Sequence, residues 1–209
     1  MNFLNKLAVT TVIALGIGVI GTSSAQAASI SRSDFNADAV NFDFESATLG
    51  STDATDGTLT VTNGVVRNRG TSFGLVLGNS YYDGGDSSVI RFNFLNPVSA
   101  VGVDFTANVA DTTLSIFDSA NNLIDSLTLD RTTLPTISAT SYPTSFIGLD
   151  AGSNLIAYAT IDTPLNGNEL YIDNIIYQSV AVPEPASMLG LLGVGVLGTI
   201  SSIKRKQKA

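Results

Sequence analysis

Three carboxylates have the strongest claim to chemistry. In Asn41-Phe42-Asp43-Phe44-Glu45 rings alternate with acids, so an extended backbone puts Asp43 and Glu45 on the face opposite Phe42 and Phe44. Far along the chain, Tyr171-Ile172-Asp173-Asn174-Ile175 sets Asp173 on the side of Tyr171, Ile175 and Tyr177, where a carboxylate needs a partner. If the two segments pair as neighbouring strands, Asp43, Glu45 and Asp173 converge, and several oxygen ligands together are what a calcium ion takes. Such an ion is expected to be structural rather than catalytic. In the competing reading Asp173 caps a turn or accepts backbone hydrogen bonds, and the first-strand acids face solvent.

A second cluster is Tyr81-Tyr82-Asp83-Gly84-Gly85-Asp86. Aromatic faces beside carboxylates and glycines suit sugar binding: rings stack on sugar faces and acids accept hydroxyl hydrogen bonds. Tyr81, Tyr82 and Asp83 are therefore the candidate glycan contacts. The alternative is an acidic turn with one tyrosine packed inward. The Asp83 and Asp86 spacing fits no defined calcium loop.

Other chemistries are excluded by composition. The chain has no cysteine and no histidine, so disulfides, Cys/His zinc sites, cysteine nucleophiles and Ser-His-Asp triads are impossible. Glycoside hydrolysis needs only two carboxylates, but Glu45 and Glu169 are the only glutamates before the C-terminal tail and no acid/base pair stands out. A non-enzymatic role is expected, with a carbohydrate-binding module as the alternative and a glycoside hydrolase behind it. The net charge is −8, and between the two ends the cations are Arg32, Arg67, Arg69, Arg91 and Arg131. Nucleic acid is thus not an expected partner.

The elements that must position these residues read as strands. Val101, Val103, Phe105 and Ala107 alternate with Gly102, Asp104 and Thr106, the pattern of a strand half buried against a core. Similar runs occupy residues 40–45, 58–66, 73–77, 89–94, 113–117, 123–129, 145–149, 155–161 and 170–178, with turn residues between them. Asp118-Ser119-Ala120-Asn121-Asn122 reads as a hairpin loop because asparagine tolerates left-handed backbone. No convincing helical periodicity and no fixed repeat interrupt the pattern. An all-β antiparallel sandwich spanning residues 28–181 is expected.

Both ends differ from this middle. Residues 1–27 run from Lys6 through apolar Leu7–Gly21 to Ala25-Gln26-Ala27, the order of a secretory signal peptide with small residues, Ala25 and Ala27, at the cleavage positions. Ala28 would begin the mature chain. From residue 182 onward come Pro183-Glu184-Pro185, an apolar stretch to Ile203, and the basic cluster Lys204-Arg205-Lys206-Gln207-Lys208. As a helix, residues 186–203 would span about 27 Å, enough for a bilayer core, with the basic end held in the cytoplasm.

This ordered tail, with Pro183, Glu184 and Pro185 as its motif, resembles the PEP-CTERM sorting signal. The resemblance implies recognition by an exosortase-type membrane protease, insertion of the C-terminal helix in the inner membrane before processing, and delivery to the cell surface or extracellular matrix, with exopolysaccharide as a further partner. The first- and last-strand motifs around Asp43 and Asp173 are similar to those of extracellular jelly-roll modules, including MAM-like and carbohydrate-binding ones. Phe146-Ile147-Gly148-Leu149 followed by a late Ile-Asp-Asn also resembles exported domains bearing PEP-CTERM tails. These likenesses imply a jelly-roll-like sandwich whose first and last strands pair.

Overall fold

Alternating apolar side chains leave one face of each extended segment in need of cover, and antiparallel pairing supplies it. The computed structural model describes residues 27–71, 73–85, 89–108, 110–137, 142–164 and 169–180. These residues contain twelve strands: β1 (Ala28–Ser29), β2 (Val40–Phe42), β3 (Ala54–Thr55), β4 (Leu59–Thr62), β5 (Val65–Gly70), β6 (Gly78–Tyr82), β7 (Ile90–Ala107), β8 (Thr112–Phe117), β9 (Leu123–Leu129), β10 (Thr144–Asp150), β11 (Ile156–Asp162) and β12 (Leu170–Ser179). All pairings are antiparallel, and the only helical elements described are short 3-10 turns at Arg32–Asp34 and Arg131–Thr133.

Strand β7 organises the rest because it belongs to two layers. Its first half pairs with β4 and β11, through Val61↔Phe92 and Ala159↔Phe92. Its second half pairs with β10 and β12, through Ile147↔Val103 and Ile172↔Phe105. Between the halves the register against β11 jumps, from Tyr158↔Asn93 to Ile156↔Val98. Pro97, which has no N–H to give a ladder, lies within that irregular stretch. Strands β8 and β9 extend the first layer, while β6, β5, β2 and β1 extend the second. Inward side chains from both layers, among them Ile90, Phe92, Val103, Phe105, Leu114, Ile116, Ile147 and Ile161, share one buried core.

Several sequence expectations change at this level. Residues 89–94 and 101–107 are one strand, not two. Residues 58–66 are two strands, divided where Asn63 takes a φ of 70°. Residues 73–77 are not a strand; the following residues, expected as a loop from Tyr81 onward, form β6 instead. The stretch Val101–Ala107 is buried on both faces rather than one. On its outer face Phe146 lies so close over Gly102 that a Cβ there would overlap the ring. The hairpin at 118–122 forms as expected, with Asn121 at a φ of 65° and its N–H donating to the Asp118 carbonyl (3.2 Å).

No helix among the described residues is long and apolar enough to cross a membrane. The expected signal peptide, except Ala27, and the expected tail with its helix lie outside the described residues.

Candidate functional site

The first and last long-range partners do meet: β2 pairs with β12 through Phe42↔Ile175 and Val40↔Tyr177. The chain leaves β2 immediately afterwards, since Phe44 adopts a φ of 60° and turns inward to full burial. Phe42 and Phe44 enter the core, with ring centroids 4.6 Å apart, and Asp43 and Glu45 remain exposed. Asp43 Oδ1 accepts the Glu45 N–H (3.1 Å), and Glu45 Oε1 accepts the Asn79 N–H of β6 (3.1 Å).

Asp173 is placed differently from its expected face. A β-bulge between Asp173 and Ile176, with Asn174 at a φ of 48°, adds one residue to β12 and reverses the inward parity. Leu170 and Ile172 point into the core before the bulge, and Ile175 and Tyr177 after it. Asp173 therefore shares the outer face with Tyr171 but not with Ile175 or Tyr177. It is only 3% exposed and lies directly across from Asp104 of β7.

The two acids are satisfied by different donors. Asp173 Oδ2 accepts the Leu77 N–H (3.1 Å) and Oδ1 accepts the Asn174 N–H (2.7 Å). Asp104 pairs with Arg32 at 2.7 Å and accepts from Asn174 Nδ2 at 3.1 Å. Burial pushes the Asp173 carboxyl up to about 7 against these hydrogen bonds, with the charges of Asp104 and Glu45 acting in the same upward direction. Burial likewise raises Asp104, and Arg32 opposes it. Among the described residues no group of three or more His, Cys, Asp or Glu side chains is arranged to hold a metal ion.

The second cluster also moves. Tyr81 belongs to the core: it is fully buried, its ring stacks on Phe44 at 5.7 Å, and its hydroxyl donates to the Thr52 carbonyl while accepting the Gly64 N–H (3.0 Å). Burial holds its hydroxyl up at about 12. Such a ring offers no face to a sugar. Asp83 is buried too, and its Oδ1 accepts the Gly85 N–H at 2.9 Å. Tyr82 points to the opposite side of β6 and joins a small outer cluster with Val76 and Tyr171.

That outer cluster floors a surface cleft of about 600 Å³ across β5, β6 and β12. Tyr82 and Tyr171 stack on each other, with centroids 4.5 Å apart and planes 11° apart. The Arg69 guanidinium lies 3.6 Å above the Tyr171 ring and 5.0 Å from that of Phe73, and Arg67 lies 5.4 Å from Tyr82. Glu169 and Asn68 complete the polar lining. Burial lowers the Arg69 pKa from its ordinary value, with the Glu169 charge opposing. Neither arginine forms an ion pair with another described residue. Arg69 Nε is buried without a hydrogen-bond partner among them, a state that costs about 1–3 kcal/mol. The sequence does hold a signal for this site. Arg67 and Arg69 are two of only five cations between the ends, and their spacing on a strand puts both on one face.

Solved structures similar to this chain are remote. A mutant of the family 29 carbohydrate-binding module CBM29-2, complexed with cellulohexaose, is 12% identical with a TM-score of 0.41, covering 69% of this chain and 94% of that one. A cleaved adhesin domain of Lys-gingipain from Porphyromonas gingivalis is 10% identical with a TM-score of 0.39, covering 68% and 99%. The catalytic domain of a GH87 alpha-1,3-glucanase, in complex with tetrasaccharides, is 16% identical with a TM-score of 0.40, covering 64% and 28%. No curated protein matches the sequence. Residues 181–206, which include Pro183, Glu184 and Pro185 and lie outside the described residues, match the PEP-CTERM protein-sorting motif.

Proposed function

We propose that this chain is an exported, non-enzymatic protein of the cell surface or extracellular matrix. In this reading its jelly-roll-like β domain is presented outside the cell after an exosortase-type protease recognises the tail. The match of residues 181–206 to the PEP-CTERM protein-sorting motif carries this reading. The residues before it support the direction of travel, because an apolar segment ending in Ala25-Gln26-Ala27 has the order of an export signal. The sequence lacks cysteine and histidine, so the domain relies on its packed core, as an exported protein without disulfides must.

The test is terminal mass spectrometry of the protein recovered from medium, envelope and cytosol of its host. The expected mature chain begins at Ala28 and ends at or near Pro183-Glu184-Pro185. Recovery of the full, uncut chain from the cytosol alone would overturn the reading. Carbohydrate binding is the second reading, favoured by the arginine and tyrosine cleft across β5, β6 and β12. A glycan array probed with and without calcium separates it from a purely structural role, since a structural protein would leave every glycan unbound.

A further inference from the structure

The cleft across β5, β6 and β12 is built to hold planar cations in place. Arg69 lies over Tyr171 at 3.6 Å, with Phe73 and Tyr82 also within reach of its guanidinium at 5.0 and 5.8 Å. Stacking occupies the guanidinium face and leaves its in-plane N–H donors to other partners. Within the described protein neither Arg69 nor Arg67 forms an ion pair; Arg69 Nε also lacks a partner but is buried, so pairing with a ligand falls to the terminal nitrogens. The alternation of β5 turns Val66 into the core and Arg67 and Arg69 outward together.

We propose that this cleft binds a carboxylate-bearing polysaccharide, such as a polyuronate, through Arg67 and Arg69. This inference rests on the proposed export of the domain and names the class of matrix glycan it would meet there. A carboxylate matches the guanidinium fork in the plane that stacking leaves open. Glu169, on the same lining, accepts hydrogen bonds from sugar hydroxyls. The same Glu169 and the net charge of −8 weaken long-range attraction to any polyanion, so binding rests on short-range pairing of carboxylates with the two guanidinium groups. Tyr82 and Tyr171 are largely buried beneath the arginines, so their role is to orient the cations rather than to stack on sugar.

The experiment uses the protein as it is recovered from the medium and envelope of its host, and measures retardation in gels containing polygalacturonate, neutral dextran or dextran sulfate. Polygalacturonate is expected to retard the protein at low salt, and less as salt rises. Arg67→Ala and Arg69→Lys are each expected to weaken this at least about 10-fold, since Lys keeps the charge but not the planar fork. Arg67 is exposed, so its variant keeps the test valid should Arg69→Lys fail to fold. Arg91→Ala serves as the charge-matched control: Arg91 stacks on Tyr158 in the other layer at 3.5 Å, and its loss should leave binding unchanged.

Equal retardation by dextran, binding to dextran sulfate alone, or equal weakening by Arg91→Ala and Arg67→Ala would each overturn the proposal. Absence of polygalacturonate binding by a chain found at the surface refutes the cleft assignment and leaves export standing. A cytosolic chain refutes export whatever the gels show.

Discussion

At the scale of single residues, Asp173 sets the most direct test. Its carboxyl is raised to about 7 in the folded chain from an ordinary value near 3.8. Folding therefore takes up a proton between those two values, and the associated stability runs opposite to that of a salt-bridged acid. It is fully present below the unfolded pKa and is lost as pH rises through about 7. Groups facing Asp173 act in both directions: Asp104 and Glu45 raise it, the Leu77 and Asn174 N–H donors lower it, and Arg32 reaches it only by pairing with Asp104. Urea melts from pH 4 to pH 8 should show a fall in stability that Asp173→Asn flattens. Identical pH slopes in the two proteins would mean that Asp173 titrates near its ordinary value. Glu45 offers a view of the same neighbourhood from β6, because Gly78, at a φ of 58°, leaves no room for a Cβ beside the Glu45 carboxylate.

At the scale of elements, the bulge in β12 decides which side chains meet. Period-two reading found the strand and its buried residues but carried a single parity through Asn174, and so put Asp173 with Ile175 and Tyr177. Nothing local announces that break except Asn174 itself, one of the few residue types that enter left-handed backbone at low cost. The same residue type was legible at Asn121 because a turn-rich loop surrounds it; inside an apolar strand the signal is masked. Tyr81 follows the alternative in which one tyrosine packs inward, though from a strand and not a turn. Two adjacent tyrosines in a strand must face opposite ways, so one ring enters the core and only Tyr82 reaches the cleft. The cleft itself joins the neighbouring pair β5 and β6 to the distant β12, and that second pairing is non-local and not written in any one segment. If the bulge needs left-handed backbone, Asn174→Val should lower stability by at least about 2 kcal/mol through strain and the lost bond to Asp104. Asn174→Gly should lower it by only about 1 kcal/mol, since glycine keeps the backbone and loses the bond. Equal destabilisation of the two variants in urea melts would show that the bulge does not depend on that conformation.

At the scale of the whole molecule, the segment just after the expected signal peptide is part of the fold and not a spacer. Strand β1 pairs Ala28 with Asp150 and Ser29 with Leu149, and the Ile30 N–H continues the ladder to the Gly148 carbonyl at 3.0 Å. Arg32 then crosses the outer face, pairing with Asp104 and lying 4.8 Å over the Phe146 ring, while Phe35 meets that ring edge-on at 6.2 Å. This strap covers Asp104, while Phe146 of β10 covers Gly102 and Thr106 bonds to the Phe73 carbonyl and the Thr144 hydroxyl, so that Val101–Ala107 is covered on both sides although its sequence has the alternation of a one-sided strand. The shared core of β7, β10 and β12 is made without the strap, so a chain lacking residues 28–35 should still fold, but with Phe146 exposed and Asp104 without its cation. A buried acid deprived of its partner is costly; because Arg32 is 41% exposed, solvent screening reduces the figure for Arg32→Ala to about 1–3 kcal/mol. Removal of residues 28–35 should cost more, since the apolar cover of Phe146 goes as well. Both losses should be largest at neutral pH and shrink on acidification, because the Asp104 carboxyl, already raised by burial, then takes a proton and no longer needs the guanidinium. Thermal melts of the two variants at pH 5 and pH 7.5 check this, and melting temperatures unchanged from the parent at both pH values would show that the strap lies on the sheet without holding it.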